Sequence, residues 1–114
     1  MKNLVEDLSR IELEMLTLHL GNQTAVANLL DVNRSSISRW SKKETPDETN
    51  RIRITSLVLI LQRLHKVFDP DTANSWLKGI NAHLANQRPV DLIKQGRISE
   101  VLAAIEQIDL GAYA

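Results

Sequence analysis

The stretch that decides the fold runs from Gln23 to Trp40 and reads QTAVANLLDVNRSSISRW. Its apolar spacing predicts two short helices joined by a tight turn. Ala27 is small enough to let those helices approach closely. Asp31 stands where the chain must turn sharply, and Asp tolerates the left-handed backbone of such a turn better than most residues. We expect Val32 to be a buried plug and Asn33 to cap the second helix through its side-chain oxygen.

The second of these helices has two faces of different chemistry. Ile37 and Trp40 are three residues apart, so they share the inward face. The outward face and the residues beside it carry an amide, short hydroxyls and cations. The predicted DNA-contacting residues are Asn33, Arg34, Ser35, Ser36, Ser38, Arg39, Lys42 and Lys43. This is the spacing of a helix-turn-helix, although an ordinary helical hairpin with a solvated outer face remains an alternative.

Composition limits the class of protein. The chain has 114 residues, of which 43% are hydrophobic, enough for one domain or two small helical lobes with a packed interior. It has no cysteine, which excludes disulfides and zinc-thiolate sites. No apolar run is long enough to cross a bilayer and no signal-peptide pattern begins the chain, so we expect a soluble, cytoplasmic protein that does not bind membranes.

The formal net charge is zero, so any DNA-binding surface must be local. The cations Arg34, Arg39, Lys42 and Lys43 form such a cluster, with no acid between Asn33 and Lys43. A few cations per copy give modest affinity, because each phosphate contact contributes little alone. DNA binding is therefore expected to need two or more copies on paired half-sites.

The rest of the chain also predicts helices. A capping box at Ser9 and Glu12, with a staple between Leu8 and Leu13, would begin a first helix that Gly21 ends. The predicted inward stripe of that helix is Ile11, Met15 and Leu18.

The second half reads as one long helix followed by three short ones. The helix over residues 51–68 is apolar on several sides, so we expect it to pack both lobes together and to contribute to self-association. Burial within one subunit is the alternative. Asp69 and Pro70 are expected to open the next helix and Gly79 to close it. Pro89 and Gly96 bound a short helix, Ser99 caps the last one, and Gly111 breaks it. The predicted fold is all-α: an N-terminal helix-turn-helix lobe (residues 1–50), a long central helix (51–68) and a small C-terminal helical lobe (69–114).

The C-terminal lobe carries an ordered set of residues that resembles a known family. The set is Trp76-Leu77, Asn81, Leu84, Pro89, Leu92-Ile93, Gly96, Val101 and the closing Gly111-Ala-Tyr-Ala114. The succession resembles the toxin-binding domain of the Xre/MbcA/ParS antitoxins, and the preceding motif resembles the helix-turn-helix of Xre-type repressors. Ile80 departs from the proline that the family often has before the asparagine.

The resemblance implies an antitoxin of a type II toxin–antitoxin system. Its partner would be a RES-type or ADP-ribosyltransferase-like toxin that uses NAD, and the helix-turn-helix would bind operator DNA and repress the operon. The implied assembly is a homodimer or a larger hetero-oligomer with toxin, and no cofactor is implied for the antitoxin. The implied toxin-contacting residues are Trp76, Asn81, Leu84, Pro89 and Gly96, with the tail Leu110, Gly111, Ala112, Tyr113 and Ala114.

Two other classes compete with this hypothesis. A stand-alone transcriptional regulator would keep the helix-turn-helix and use the C-terminal lobe for dimerisation or ligand binding. An enzyme is less well supported, because His65 and Asp69 stand at i,i+4 spacing without a third group in sequence reach. No Gly-rich phosphate loop or paired carboxylates accompany them, so we predict no catalytic residue and no metal ligand.

Overall fold

The structure is a computed structural model that describes residues 4–111, with side chains from Leu8 onwards. Seven α-helices follow one another in that range, which contains no β-strand, so the all-α prediction is confirmed. They are α1 (Leu4–Leu20), α2 (Gln23–Leu30), α3 (Arg34–Trp40), α4 (Glu48–Val67), α5 (Pro70–Lys78), α6 (Pro89–Lys94) and α7 (Ile98–Gly111). A 3-10 turn (Ala82–Leu84) lies between α5 and α6.

The chain divides into two compact units, Met1–Val58 and Leu59–Ala114, with the boundary inside α4. Unit 1 contains α1, α2, α3 and the first part of α4, and unit 2 contains the remainder. None of the described helices has the length and apolar composition needed to span a membrane.

The core of unit 1 is aliphatic, with one aromatic side chain. Its fully or nearly buried residues are Leu13, Leu16, Val26, Ala27, Leu30, Ile37, Trp40, Ile54 and Leu57. Two polar contacts fasten α4 within this unit. Thr55 donates from its hydroxyl to the buried carboxylate of Glu12 at 2.9 Å, and Arg53 donates to the carbonyl of Leu30 at 3.2 Å. The second bond satisfies a carbonyl at the end of α2 that has no partner inside its own helix.

The first helix differs from its prediction in start and in orientation. It begins at Leu4, so Ser9 is a buried residue inside the helix rather than its cap. Leu8 is exposed while Leu13 is buried, so the predicted staple is wrong. The predicted inward stripe is also wrong, because Ile11 and Leu18 are exposed and Leu13 and Leu16 face the core. The two stripes have almost the same spacing, so periodicity alone did not determine which one is buried.

Unit 2 packs short helices around the end of α4. Its buried side chains are Ile60, Leu61, Leu64, Ala73, Leu77, Leu84, Pro89, Leu92, Ile93, Val101, Ala104 and Ile105. Asp69 caps α5 as predicted, since its carboxylate accepts from the Thr72 N–H at 2.7 Å. That backbone hydrogen bond lowers the pKa of the Asp69 carboxyl. Ser99 is not a cap, because α7 already begins at Ile98.

Candidate functional site

The turn between α2 and α3 has the geometry that its sequence predicts. Asp31 adopts the left-handed conformation, with φ of 57° and ψ of 46°. The Val32 N–H donates to the carbonyl of Ala27 at 3.0 Å, and Ala27 itself is buried against the neighbouring helix. The chain thus leaves α2 and starts α3 within three residues. Val32 is only half-buried, so the prediction of a buried plug is wrong.

Asn33 occupies the N-cap position of α3 without using its side chain as a cap. Its backbone is extended, and its carbonyl accepts from the Ser36 N–H at 3.0 Å. The side chain makes no capping hydrogen bond and is exposed. The predicted capping role is therefore wrong, and the amide faces outward with the rest of the predicted DNA-contacting surface.

Helix α3 separates an apolar face from a polar one. Ile37 and Trp40 are buried, as predicted from their spacing. Arg34, Ser35 and Arg39 are exposed, whereas Ser36 and Ser38 are partly covered. Lys42 and Lys43 follow in the exposed turn after α3, where the Lys43 N–H donates to the carbonyl of Arg39 at 3.0 Å.

Glu44 forms an ion pair with Arg39, one of the cations of the predicted DNA-contacting surface. Arg39 donates from Nε to the Glu44 carboxylate at 3.0 Å and from a terminal nitrogen to the Ser36 hydroxyl at 3.3 Å. Both members of the ion pair are about half exposed, so the pair contributes little to stability and can exchange partners. The cationic cluster is therefore partly neutralised by Glu44, which immediately follows Lys43 in the sequence.

The predicted toxin-contacting residues of unit 2 fall into two groups. Leu84 and Pro89 are buried, so they can shape the surface but do not form it. Trp76 and Asn81 are partly exposed and Gly96 is exposed, with Gly96 at a φ of 77° just after α6. The side-chain carbonyl oxygen of Asn81 accepts a hydrogen bond from the His83 N–H at 2.9 Å. Asn81 thereby caps the start of the 3-10 turn.

The end of the chain differs from the predicted tail. Helix α7 extends through Leu110 to Gly111, so these two residues belong to the helix that they were predicted to follow. Leu110 is nevertheless 60% exposed, and Gly111 is exposed beside it. Ala112, Tyr113 and Ala114 lie outside the described residues.

Two ion pairs hold the starts of α6 and α7. Arg88 makes two hydrogen bonds of 3.0 Å to the Asp91 carboxylate, and Arg97 makes a similar pair with Glu100. The side-chain hydrogen bond from Arg88 lowers the pKa of Asp91, and that from Arg97 lowers the pKa of Glu100. Each acid lies in the first turn of its helix, where the helix dipole also favours negative charge.

A groove within unit 2 was not predicted from the sequence. It lies between the end of α4 and α7 and encloses about 110 Å³. An apolar floor is flanked by two cations from α4 and two acids from α7: Leu59, Leu102, Ile105, Arg63, Lys66, Glu106 and Asp109. Only tertiary packing brings these two helices together, so no local pattern could have revealed the groove. Among the described residues no cluster of three metal-ligating side chains occurs.

Comparison with known proteins gives several related antitoxins. The mycobacterial cidal antitoxin MbcA of Mycobacterium tuberculosis, and that of Mycobacterium bovis, is 29% identical over 89 residues, covering 77% of this chain and 79% of the relative. The probable mycobacterial cidal antitoxin Rv3188 of M. tuberculosis is 31% identical over 93 residues, covering 80% of this chain and 78% of the relative. This chain belongs to the MbcA-type antitoxin family.

The fold agrees with that assignment. A chain of the crystal structure of the M. tuberculosis MbcT-MbcA toxin-antitoxin complex superposes on this MbcA-type antitoxin with a TM-score of 0.76 and 25% identity. The superposition covers 99% of this chain and 100% of that one. No family model matches the sequence. The family resemblance noted in the C-terminal lobe is thereby confirmed.

Proposed function

We propose that this MbcA-type chain binds and inhibits a toxin of the RES or ADP-ribosyltransferase-like class, which uses NAD, and that it represses its own operon through α3. The observation that carries the first half is the match over nearly the whole chain to a component of the MbcT-MbcA complex. A fold does not by itself imply a function. Here the antitoxin relatives in sequence and the toxin–antitoxin complex in structure point the same way.

The toxin-binding surface is proposed to lie at the end of α7 and on the half-exposed part of unit 2. Leu110 and Gly111 are exposed there, and Tyr113 follows within two residues. A tyrosine offers large contact area with few rotors to immobilise, which is typical of interface hot spots. Leu84 and Pro89 would support this surface from beneath.

Co-expression tests the toxin half of the proposal. When the full chain is produced together with the toxin-sized reading frame next to its gene, we expect the two proteins to co-purify and cell growth to be normal. Production of that neighbour alone should arrest growth and lower cellular NAD. Absence of a co-purifying neighbour, with DNA binding intact, would instead favour a stand-alone regulator.

The DNA half of the proposal depends on the two-faced character of α3. Burial of Ile37 and Trp40 fixes which side of this helix faces out, and Arg34 and Ser35 lie on that side. The left-handed turn at Asp31 sets the angle at which α3 leaves α2. In a helix-turn-helix the second helix is the recognition element that lies in the major groove, and α3 is proposed to have this role.

Salt titration measures the proposed phosphate contacts. Arg34→Ala with Lys42→Ala should reduce the slope of log affinity against log salt by about 1.8 per copy, since each lost phosphate contact contributes about 0.9. Both side chains are exposed, so the melting temperature should hardly change. DNA affinity is measured by fluorescence anisotropy at several salt concentrations, with a duplex from the promoter of the gene that encodes this chain.

Two further variants serve as matched controls for that titration. Lys78→Ala removes an exposed cation from unit 2 and should leave the slope unchanged. Glu44→Gln removes the acid that pairs with Arg39 and should strengthen DNA binding, because Arg39 then meets phosphate without losing a partner. An unchanged slope in the double variant would exclude Arg34 and Lys42 from the DNA-binding face.

A further inference from the structure

The guanidinium group of Arg39 is oriented by two neighbouring side chains. Its Nε–H donates to Oε2 of Glu44 at 3.0 Å, and its Nη2 donates to Oγ of Ser36 at 3.3 Å. Side chains of an α-helix lean towards the N-terminus of the helix, so Arg39 reaches back to Ser36, one turn earlier. The guanidinium therefore lies along the polar face of α3 instead of extending beyond the end of the helix.

The position of Glu44 is fixed by the backbone of the turn that follows α3. Three successive N–H groups donate to the carbonyl of Arg39 at 3.0 to 3.1 Å, those of Lys42, Lys43 and Glu44. Two residues after Glu44, Pro46 is buried and anchors the other side of the turn. Arg39 and Glu44 are thus joined through their backbones as well as their side chains. Local structure therefore places the carboxylate beside the guanidinium.

The ion pair between Arg39 and Glu44 matters more for binding than for stability. The two side chains are 50% and 57% exposed, and ion pairs on the surface contribute little to the free energy of unfolding. A DNA phosphate near this guanidinium would be attracted by Arg39 and repelled by Glu44. The edge of a base carries no net charge, so it escapes most of that repulsion. The pair therefore favours an uncharged hydrogen-bond acceptor over a phosphate.

The remaining hydrogen-bond donors of Arg39 match one base. An arginine has five N–H donors, and Glu44 and Ser36 each accept from one, which leaves three on the terminal nitrogens. Guanine presents two acceptors in the major groove, N7 and O6, which arginine binds with a pair of hydrogen bonds. Adenine presents a donor beside its N7, and a guanidinium has no acceptor to meet it. Guanine is therefore the base that these donors fit.

We propose that Glu44 positions Arg39 to bind guanine in the major groove. Phosphate contacts would then come from the other cations of the surface, Arg34, Lys42 and Lys43. These three side chains are exposed, and none of them forms an ion pair within the part of the chain that the structure describes. The inference rests on the proposed DNA binding by α3, and it adds a base for one side chain and a positioning role for an acid.

Selection from a pool of duplexes with randomised sequence tests the role of Arg39. The site that the full parent chain enriches should contain a G·C pair in each half-site, and Arg39→Ala should lose the preference at that pair alone. The loss should be about 5-fold to about 150-fold in relative affinity, the range for one bidentate base contact. Arg34→Ala is the control. It should enrich the same site with lower affinity, because phosphate contacts carry no base information.

A modified base tests the contact itself. Replacement of the selected guanine by 7-deazaguanine removes the N7 acceptor and leaves the base pair intact. Binding of the parent chain should weaken, whereas the affinity of Arg39→Ala should not change. An equal loss for both chains would show that another side chain reads this base, and would overturn the inference.

Glu44→Gln tests the positioning role, because it keeps a side-chain carbonyl and removes the charge. Arg39 should then also contact phosphate, so the salt slope should increase by up to about 0.9 per copy. The ratio of affinity for the selected site to affinity for a duplex without the G·C pair should fall. Glu48→Gln makes the same charge change at another exposed acid and should leave that ratio unchanged.

The possible failures are distinguishable. An Arg39→Ala chain that enriches the same site as the parent would overturn the inference and leave DNA binding by α3 intact. An unchanged affinity ratio in Glu44→Gln would do the same for the positioning role. Enrichment of no site by the parent chain would instead remove the proposed DNA binding, and the inference with it. Arg39 and Glu44 are both exposed, so the melting temperatures of these variants should match that of the parent.

Discussion

Removal of residues 112–114 is expected to abolish the protection that this chain gives against its toxin. Tyr113 is proposed to contact the toxin, and loss of one hot-spot residue typically costs 2 kcal/mol or more, about 30-fold in affinity. Truncation removes the Tyr113 ring and shortens the chain by three residues, so colony counts on induction of the toxin should fall to those of cells without antitoxin. The measurement is plating efficiency with matched protein levels.

Folding of the truncated chain is the necessary control. Its core residues in α7, Val101, Ala104 and Ile105, all precede the deletion, so the helical content and melting temperature should be retained. Two point variants separate the effect of losing the Tyr113 ring from the effect of shortening the chain. Tyr113→Phe should protect nearly as well as the parent, whereas Tyr113→Asp should fail. Full protection by the truncated chain would show that inhibition does not involve these residues.

Trp40→Ala is expected to unfold unit 1. Trp40 is buried between the helices of the turn motif, and truncation of a buried aromatic side chain costs about 3–5 kcal/mol. Domains have roughly 0.05–0.15 kcal/mol of stability per residue, so a unit of this size could lose most of its free energy of unfolding. The midpoint of a urea titration followed by circular dichroism should fall to a much lower urea concentration, and DNA binding should be lost.

Variants of the same helix give the comparison. Arg34→Ala also shortens a side chain in α3, but that side chain is exposed and its loss should change stability by less than about 0.5 kcal/mol. Trp40→Phe keeps most of the apolar volume, so its loss of stability should lie between those of Trp40→Ala and Arg34→Ala. A melt of Trp40→Ala that coincides with that of the parent would mean that the indole contributes no packing.

Features that depend on a few neighbouring residues were predictable from the sequence. The left-handed turn at Asp31, the cap of α5 at Asp69 and the end of α6 near Gly96 all agree with the structure. Each follows from the backbone preference or hydrogen-bonding capacity of one residue, which operates over three or four positions. The antitoxin family could likewise be identified from an ordered set of residues within one lobe.

Features that require contact between distant residues could not be predicted. Helix α1 has apolar residues on two faces, and the sequence pattern predicted the wrong one as the buried face. The buried face of α1 is the one that contains Leu13. On that side of the helix Glu12 accepts a hydrogen bond from Thr55 of α4, which lies 43 positions further along the sequence. The prediction that Ser9 caps the first helix was also wrong. The helix begins at Leu4, so Ser9 and Glu12 lie inside it, where the same sequence pattern has no capping role.

The amino-acid sequence by itself determined an all-helical chain, the place and hand of the turn before α3, and membership of an antitoxin family, because propensity, capping and spacing are local. Tertiary structure alone decided which face of α1 is buried and that a groove forms between α4 and α7. Periodicity defines the faces of a helix but leaves its rotation undetermined. Only packing against a neighbour selects one orientation, and in α1 that selection leaves Leu8, Ile11 and Leu18 exposed to solvent.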